Sequence, residues 1–173
     1  GDGEGLFDMQ IGVRSADAET RRPMTLTFVA DTSGSMSGEP IQRERAVIRA
    51  IAKSLSEGDI VNMVTWSTTN AVVLEGHVVT GADDAVLIDK ANGMTPGGGT
   101  DLNGGLKAGY MLAQKHYGAA RLNRVILISD GGANAGVTDQ NLIGNNSKDA
   151  DQEGIYLVGV GTGPAGGYHD DLM

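Results

Sequence analysis

The sequence predicts one α/β domain with a doubly wound, mostly parallel Rossmann-like sheet, one antiparallel edge strand and helices on both faces. Two observations support this fold class. Short apolar runs rich in Val, Ile and Thr alternate with amphipathic stretches, and glycine clusters stand at the junctions between them. Nearly continuous apolar runs, such as residues 125–128, are typical of parallel strands that are buried on both sides. A chain of 173 residues fits a single domain with one core.

Five runs are predicted to be strands, because each is short, apolar and rich in β-branched residues. They lie at residues 24–30, 60–66, 71–79, 125–129 and 155–160. Only four residues separate the second run from the third, too few for a parallel crossover, so these two should form an antiparallel hairpin at one edge of the sheet. The alternating segment 9–14 is a candidate sixth strand.

Helical periodicity fills the gaps between the predicted strands. In residues 41–55 apolar side chains recur three and four apart, and the charged residues, including Glu44, are assigned to the other faces of the helix. A second amphipathic helix should run over residues 101–117. Weaker patterns predict helices over 82–90 and 139–153.

The composition excludes several classes of function. Thirteen Lys and Arg stand against 22 Asp and Glu, a net charge of −9 without a basic cluster, which argues against nucleic acid or an anionic membrane as the main partner. The absence of Cys excludes a disulfide scaffold, a zinc ribbon and a thiol nucleophile. No apolar run approaches the ~20 residues of a membrane-spanning helix. A metal site built from oxygen ligands remains open.

Oxygen-bearing side chains follow the predicted strands, where open α/β sheets bind their ligands. Asp31, Ser33 and Ser35 alternate directly after the first strand, and Asp130 directly follows the fourth. Thr100 ends a glycine run that opens a helix. Alternation lets a turning loop aim every second side chain inward, and carboxylates and hydroxyls suit one small, hard dication such as Mg²⁺. The sequence therefore predicts a metal site at one edge of the sheet.

The motifs that contain these residues resemble the three parts of a von Willebrand factor A-type domain with a metal-ion-dependent adhesion site. They read DTSGSM after a strand, GGGTDL at a helix start and LISDGG after a later strand. Their order and spacing match over residues 25–161, and NRVILISDGGAN and IYLVGVGTG resemble bacterial members of the family. This resemblance favours a cell-envelope or secreted setting in a bacterium, while the sequence itself leaves the compartment and the oligomeric state open.

The resemblance implies a Mg²⁺ site in which Ser33, Ser35 and Thr100 supply hydroxyls. Asp31 and Asp130 would hold the ion directly or through water, and Mn²⁺ or Ca²⁺ could take its place. One coordination position would be left for an Asp or Glu carboxylate of a partner protein. The resemblance thus implies a metal-dependent protein-binding module rather than an enzyme.

The resemblance also implies domain boundaries. From their glycine-rich start and the alternating segment 9–14, residues 1–23 are expected to be an N-terminal linker or edge extension; the resemblance makes residues 24–173 the domain itself. The family's last strand and final helix have no match here, so this copy is expected to be truncated at its C-terminus.

Two other interpretations remain open. The first is a metal-dependent phosphatase of the haloacid-dehalogenase type, with Asp31 as nucleophile. Such enzymes need a second Asp two positions later, where this chain has Ser33, so the general acid/base is missing. The second is a structural interaction domain with an empty metal site. Residues 161–166 also spell the dinucleotide fingerprint G-x-G-x-x-G, but after the last strand rather than the first.

The remaining polar and aromatic side chains are expected to have structural roles. Trp66 should pack in the core or in the hairpin. Asp101 should cap its helix rather than bind metal, and Thr100 is the alternative cap. The three histidines lie far from the motif residues and are expected to be surface or hydrogen-bonded side chains. Asp83 and Asp84 are expected to be solvated residues at a helix end.

Overall fold

A computed structural model describes residues 21–131 and 154–163, and the statements below concern those residues. They form five strands and three α-helices. The strands are β1 (Met24–Asp31), β2 (Ile60–Trp66), β3 (Asn70–Val78), β4 (Leu122–Ser129) and β5 (Ile155–Gly161). The helices are α1 (Glu39–Ala52), α2 (Ala85–Gly93) and α3 (Leu102–Lys115).

The strands form one sheet in the order β3-β2-β1-β4-β5. The central strand β1 pairs in parallel with both β2 and β4, and β4 pairs in parallel with β5. The edge strand β3 pairs with β2 in an antiparallel hairpin. The chain thus winds outward from β1 to one side and then returns to the other, which places the topological switch between β1 and β4. The predicted doubly wound sheet and its antiparallel edge are confirmed.

Two apolar clusters cover the two faces of the sheet. Helices α1 and α2 pack on one face, where Phe28 and Ile48 are fully buried. Helix α3 packs on the other face, against Val29 and Trp66. Successive residues of β1 therefore point to opposite sides, as a strand period of two requires. The expected burial of Trp66 and the expected helices on both faces are confirmed.

Helix α3 approaches the sheet closely because two glycines one turn apart face it. A Cβ on Gly105 would lie 2.7 Å from the Cβ of Trp66, and a Cβ on Gly109 would collide with Cγ2 of Val29. Real Cβ atoms essentially never come that close to another heavy atom. Because α3 begins directly after the glycine-rich loop that carries Thr100, this close packing of α3 on β1 and β2 also sets where that loop ends.

We expect Gly105→Ala to lower the free energy of unfolding by about 1–3 kcal/mol, because the added methyl forces α3 or Trp66 to move. This loss outweighs the gain of up to about 1 kcal/mol that Ala brings to a helix interior. Urea denaturation measures the difference. Gly93→Ala is the matched control, since a Cβ there meets no heavy atom within 4 Å. Equal unfolding midpoints for the two variants would contradict the close packing.

The structure corrects the expectation for Asp84. Asp84 is 4% exposed and caps α2, because its side chain accepts hydrogen bonds from the amides of Val86 and Leu87. Its Oδ1 also lies 2.8 Å from Nε2 of His77, which is thereby hydrogen-bonded as expected. Burial alone would raise the pKa of Asp84, but the hydrogen bonds from Leu87, Thr80 and His77 outweigh it and lower the pKa. A carboxylate that satisfies a helix N-terminus is stable without full solvation.

Several predictions lie outside the described residues. These are the strand over 9–14, the helix over 139–153, most of the linker over 1–23 and the second half of the G-x-G-x-x-G stretch. Within the described part of the chain, no helix combines the length and the apolar character needed to span a membrane.

Candidate metal site

Asp31 ends the central strand β1 at the switch point and is fully buried. Its Oδ1 accepts a hydrogen bond of 2.8 Å from the amide of Ser33, and its Oδ2 accepts one of 2.8 Å from Oγ of Ser129. Its own amide donates to Oε1 of Glu44 at 3.0 Å. The bonds from Ser33 and Ser129 orient the carboxylate, and the bond to Glu44 holds the backbone of Asp31.

The hydroxyls of the first loop lie side by side. Oγ of Ser33 is 3.1 Å from Oγ of Ser35. A 3-10 turn over Gly34–Met36 brings them together, and fully buried Met36 anchors the turn in the core. Ser33 is 2% exposed whereas Ser35 is exposed, so the pair extends from the buried carboxylate of Asp31 toward solvent.

Backbone hydrogen bonds join the glycine-rich loop to this first loop. The amide of Gly97 donates to the carbonyl of Thr32 at 2.8 Å, and the amide of Gly34 donates to the carbonyl of Gly98 at 3.2 Å. Gly98 has a φ of +81°, a conformation that L-residues with side chains rarely adopt. The glycines therefore permit a close approach of two loops that carry different predicted ligands.

Thr100 and Asp101 follow on the same loop with different roles. Oδ1 of Asp101 accepts a hydrogen bond of 3.0 Å from the amide of Gly104, which makes Asp101 the N-cap of α3, as the sequence predicts. Thr100 is half-buried and precedes this cap. The loop that carries Thr100 is joined to the first loop by the backbone hydrogen bonds of Gly97 and Gly98.

Asp130 directly follows β4 and is half-buried. The register pairs Ala30 with Ile128, so the strand ends that carry Asp31 and Asp130 lie next to each other. Burial raises the pKa of Asp31, and the negative charge of Asp130 raises it further against the lowering effect of the hydrogen bonds from Ser33 and Ser129. The two predicted carboxylates are thus close enough to repel each other.

Two residues at the site are not among the predicted site residues. Ser129 orients Asp31 and accepts a hydrogen bond of 3.3 Å from the amide of Gly131, and its place at the end of the strand beside Asp31 was the available signal. Glu44 was wrongly assigned to the outer faces of α1. It is fully buried, three residues after Ile41 and four before Ile48, a spacing that places all three side chains on the inner face.

The environment of Glu44 keeps it protonated at neutral pH when no metal is bound. Burial raises its pKa to about 9, and the negative charges of Asp31 and Asp130 add to this effect. The second oxygen of its carboxyl, Oε2, has no hydrogen-bond partner in the described part of the chain. A neutral carboxyl adds no third negative charge beside the two aspartates.

We expect the metal-free protein to lose stability as the pH rises from about 5 to about 9. In this window the folded state retains the proton of Glu44, whose pKa is about 9, while the unfolded state has released it near 4.5. Because the folded state binds more protons, stability falls with rising pH. Urea unfolding in EDTA measures the slope. Glu44→Gln should flatten it and the exposed control Glu57→Gln should not; an equal slope in both variants would contradict the protonated state.

The residues present fit a small, hard dication. No three His, Cys, Asp or Glu side chains converge on a cation site in residues 21–131 and 154–163. The set at this edge is of another kind, since it combines two carboxylates with hydroxyls, which suits Mg²⁺, Mn²⁺ or Ca²⁺. Within the same ranges no Lys or Arg forms an ion pair with Asp31. A bound cation would therefore supply the positive charge that is needed to balance this buried carboxylate.

Comparison with known proteins gives the same fold. The chain is 27% identical to the Escherichia coli K12 protein YfbK over 169 residues, which are 97% of this chain and 29% of that relative. Manganese-loaded TRAP protein of Plasmodium vivax superposes with a TM-score of 0.64 at 20% identity, covering 87% of this chain and 61% of that one. A zinc-occupied form of proximal thread matrix protein 1 from the mussel byssus gives 0.61 at 18% identity, covering 81% and 38%.

The family assignment rests on sequence. The family model described as "von Willebrand factor type A domain" matches residues 26–133, from the central strand β1 through the loop after β4. The match covers more than half of the chain and includes all three motif loops. The sheet order and the two-sided helix packing agree with it, and the chain belongs to the von Willebrand factor type A domain family.

Proposed function

We propose that this chain is a protein-binding module in which a bound divalent cation, Mg²⁺ in the first place, receives an Asp or Glu carboxylate from a partner protein. One observation carries the proposal. Asp31 is a fully buried carboxylate at the switch point, oriented by Ser33 and Ser129, and no Lys or Arg within the described residues neutralises it. Such a group is costly to bury unless a cation binds to it.

The five predicted residues would divide the binding between two kinds of oxygen. Ser33, Ser35 and Thr100 would offer hydroxyls, and Asp31 and Asp130 would offer carboxylates. The exposure of Ser35 supports an opening to solvent through which a partner's side chain could reach the ion. The bound ion would supply concentrated positive charge to a protein whose net charge is −9, and so would favour an acidic anchor over weak anionic binders.

Two structural relatives support a divalent metal in general rather than Mg²⁺ in particular. The Plasmodium vivax protein is manganese-loaded, and the mussel protein has zinc in its metal-ion-dependent adhesion motif. Both share the fold with this chain at 20% identity or less. The oxygen-only donor set of this chain favours the harder ions of the series.

The surroundings of Asp31 favour binding over catalysis. Its hydrogen-bond partners in the described residues are Ser33, Ser129 and Glu44. Neither a His nor a Lys is among these contacts, and Ser33 occupies the place of the second acid that a haloacid-dehalogenase-type phosphatase requires. We therefore propose no reaction at this site.

A linkage experiment tests the proposed function. Mg²⁺ should bind more tightly in the presence of glutarate than in the presence of glutaramide, because a carboxylate that coordinates the ion raises the ion's own affinity by the same factor. Calorimetric titration at several glutarate concentrations measures this factor. Binding of glutarate with equal affinity in EDTA would overturn the proposal, since the ion would then have no part in it.

We expect Thr100→Ala to weaken the affinity for the metal by about tenfold, a smaller loss than that caused by Asp31→Ala. The substitution removes one neutral oxygen on a separate loop, whereas Asp31 contributes a full charge; one hydroxyl contact is worth on the order of 1 kcal/mol. Titration with Mn²⁺ measures the loss, and Thr100→Ser, which keeps the hydroxyl, should restore most of the affinity. A loss as complete as that in Asp31→Ala would contradict this division of roles.

A further inference from the structure

A second cleft lies at the end of the sheet opposite Asp31, where β4 and β5 begin. It has a volume of about 370 Å³. The residues that give it its chemistry are Arg22, Tyr117, Arg121, Asn123, Arg124 and Tyr156. Because β4 spans eight residues, roughly 23 Å of strand separates this cleft from the candidate metal site.

Positively charged side chains line the cleft, although the chain as a whole is negatively charged. Arg22, Arg121 and Arg124 line it, and no Asp or Glu does so among the described residues. Within residues 21–131 and 154–163 none of these three guanidiniums forms an ion pair, whereas Arg21 and Arg43 each pair with a carboxylate. In a protein of net charge −9, three guanidiniums around one cleft that have no acidic partner in the described part of the chain favour an anionic ligand.

Arg121 is held in place by the backbone around it. Its Nε donates to Oγ1 of Thr25 at 3.0 Å, and its Nη2 donates to the carbonyls of Met24 at 2.8 Å and Gly58 at 2.6 Å. A guanidinium carries five N–H donors, and these bonds use only two of its three nitrogens. A positive charge that is already fixed loses little conformational freedom when a ligand binds.

Arg124 and the two tyrosines also line the cleft. The guanidinium carbon of Arg124 lies 4.8 Å from the centre of the Tyr156 ring, within the range of a cation–π contact. Nη1 of Arg124 donates to the carbonyl of Asn123 at 2.8 Å. Tyr117 and Tyr156 are 43% and 48% exposed, which leaves their rings open to the cleft and to solvent. Arg and Tyr are the residues in which protein-binding surfaces are enriched.

We propose that this cleft binds acidic side chains of a polypeptide segment. Guanidiniums bind carboxylates through paired hydrogen bonds, and the tyrosine rings can pack against the aliphatic stems of Glu or Asp. Arg22 precedes β1, whereas Arg121 and Arg124 stand together at the start of β4, so the guanidiniums come from two segments of the chain, which suits several separate carboxylates better than one compact phosphate. The net charge of −9 favours a short acidic stretch, because a longer polyanion would extend over the negatively charged remainder of the protein. The proposal does not depend on the proposed metal site.

The test uses a fluorescein-labelled hexaglutamate peptide, with binding followed by fluorescence anisotropy in EDTA, so that no metal contributes. We expect saturable binding that Arg22→Gln/Arg124→Gln weakens by about tenfold or more, because two charge-assisted contacts are lost. The control Arg49→Gln/Lys53→Gln removes the same charge away from the cleft and should retain the affinity. Asp31→Ala should also bind the peptide as the unmodified protein does.

Arg22 is exposed, so Arg22→Gln alone provides a variant that is expected to fold, and it should weaken binding about threefold. The absence of peptide binding to the unmodified protein would overturn the proposal. Equal losses in the two double variants would overturn it as well, because net charge would then explain the binding. Stronger binding of a heparin fragment than of the peptide would overturn the assignment to an acidic polypeptide.

Discussion

Asp31→Ala is expected to abolish the stabilisation of this protein by Mg²⁺ while leaving its fold intact. A ligand that binds only the folded state raises the melting temperature, and this effect disappears when the site is lost. Asp31 lies at the end of β1, and its contacts are with Ser33 in the following loop, with Ser129 at the end of β4 and with Glu44. Its loss should weaken the affinity for the metal by at least about 100-fold. Removing even the groups that only orient metal ligands weakens the affinity by up to about 100-fold.

The fold should survive because burial already disfavours the charge of Asp31. Its pKa is raised by desolvation, with the charge of Asp130 contributing, so the carboxylate destabilises the metal-free protein and its removal offsets the two hydrogen bonds that are lost. Circular dichroism and thermal melts with and without Mg²⁺ make the comparison. Asp89→Ala removes the same charge from the exposed side of α2 and should behave as the unmodified protein. Loss of the folded spectrum in Asp31→Ala would contradict the separation of site and scaffold.

Phe28→Ala is expected to have the opposite effect, with a loss of about 3–5 kcal/mol in the free energy of unfolding and an unchanged metal affinity in the molecules that remain folded. Phe28 is fully buried in the central strand and packs in the cluster beneath α1 and α2. Its removal leaves a cavity that the neighbouring elements cannot fill. Urea unfolding measures the loss.

The exposed control for this prediction is Val72→Ala. Val72 is 53% exposed on the edge strand β3, so its truncation should change stability by no more than about 0.5 kcal/mol. A loss below about 1 kcal/mol for Phe28→Ala would show that the sheet face beneath α1 and α2 is not the core of the domain. Asp31→Ala should thus remove metal binding without loss of the fold, and Phe28→Ala should lower stability without loss of metal binding.

Most of the fold could be predicted from the sequence, because its strands and their hairpin are determined by patterns of neighbouring residues. The strand predicted at 60–66 matches β2 residue for residue, and the four-residue connection was sufficient to predict the antiparallel hairpin. Strand β4 begins three residues before its predicted start, because Asn123 and Arg124 are polar yet pair with β1. Asn123 is buried and bonds both the amide and the carbonyl of Gly118. A hydrophobic pattern does not detect a polar residue whose partners lie in a preceding loop.

The motif residues of the candidate site could be predicted from the sequence, but the residues that hold them in place could not. The alternation of Asp31, Ser33 and Ser35 is visible in the sequence, and the structure places their loop at the switch point. Glu44 has the spacing of a buried residue, but a charged side chain is rarely buried unless it is paired, so its residue type predicts a surface position. The amide of Asp31 and a retained proton make its burial possible. Both depend on tertiary contacts that no local pattern encodes.

Calorimetric titration of Mg²⁺ into chelator-stripped protein shows whether Asp31 and its neighbours bind a divalent cation. We expect saturable binding at one site, retained with Mn²⁺ and absent in Asp31→Ala. If neither Mg²⁺, Mn²⁺ nor Ca²⁺ bound, even with glutarate present, the chain would be a structural interaction domain with an empty site. If Asp31→Ala bound metal as the unmodified protein does, Asp31 would not be a metal ligand.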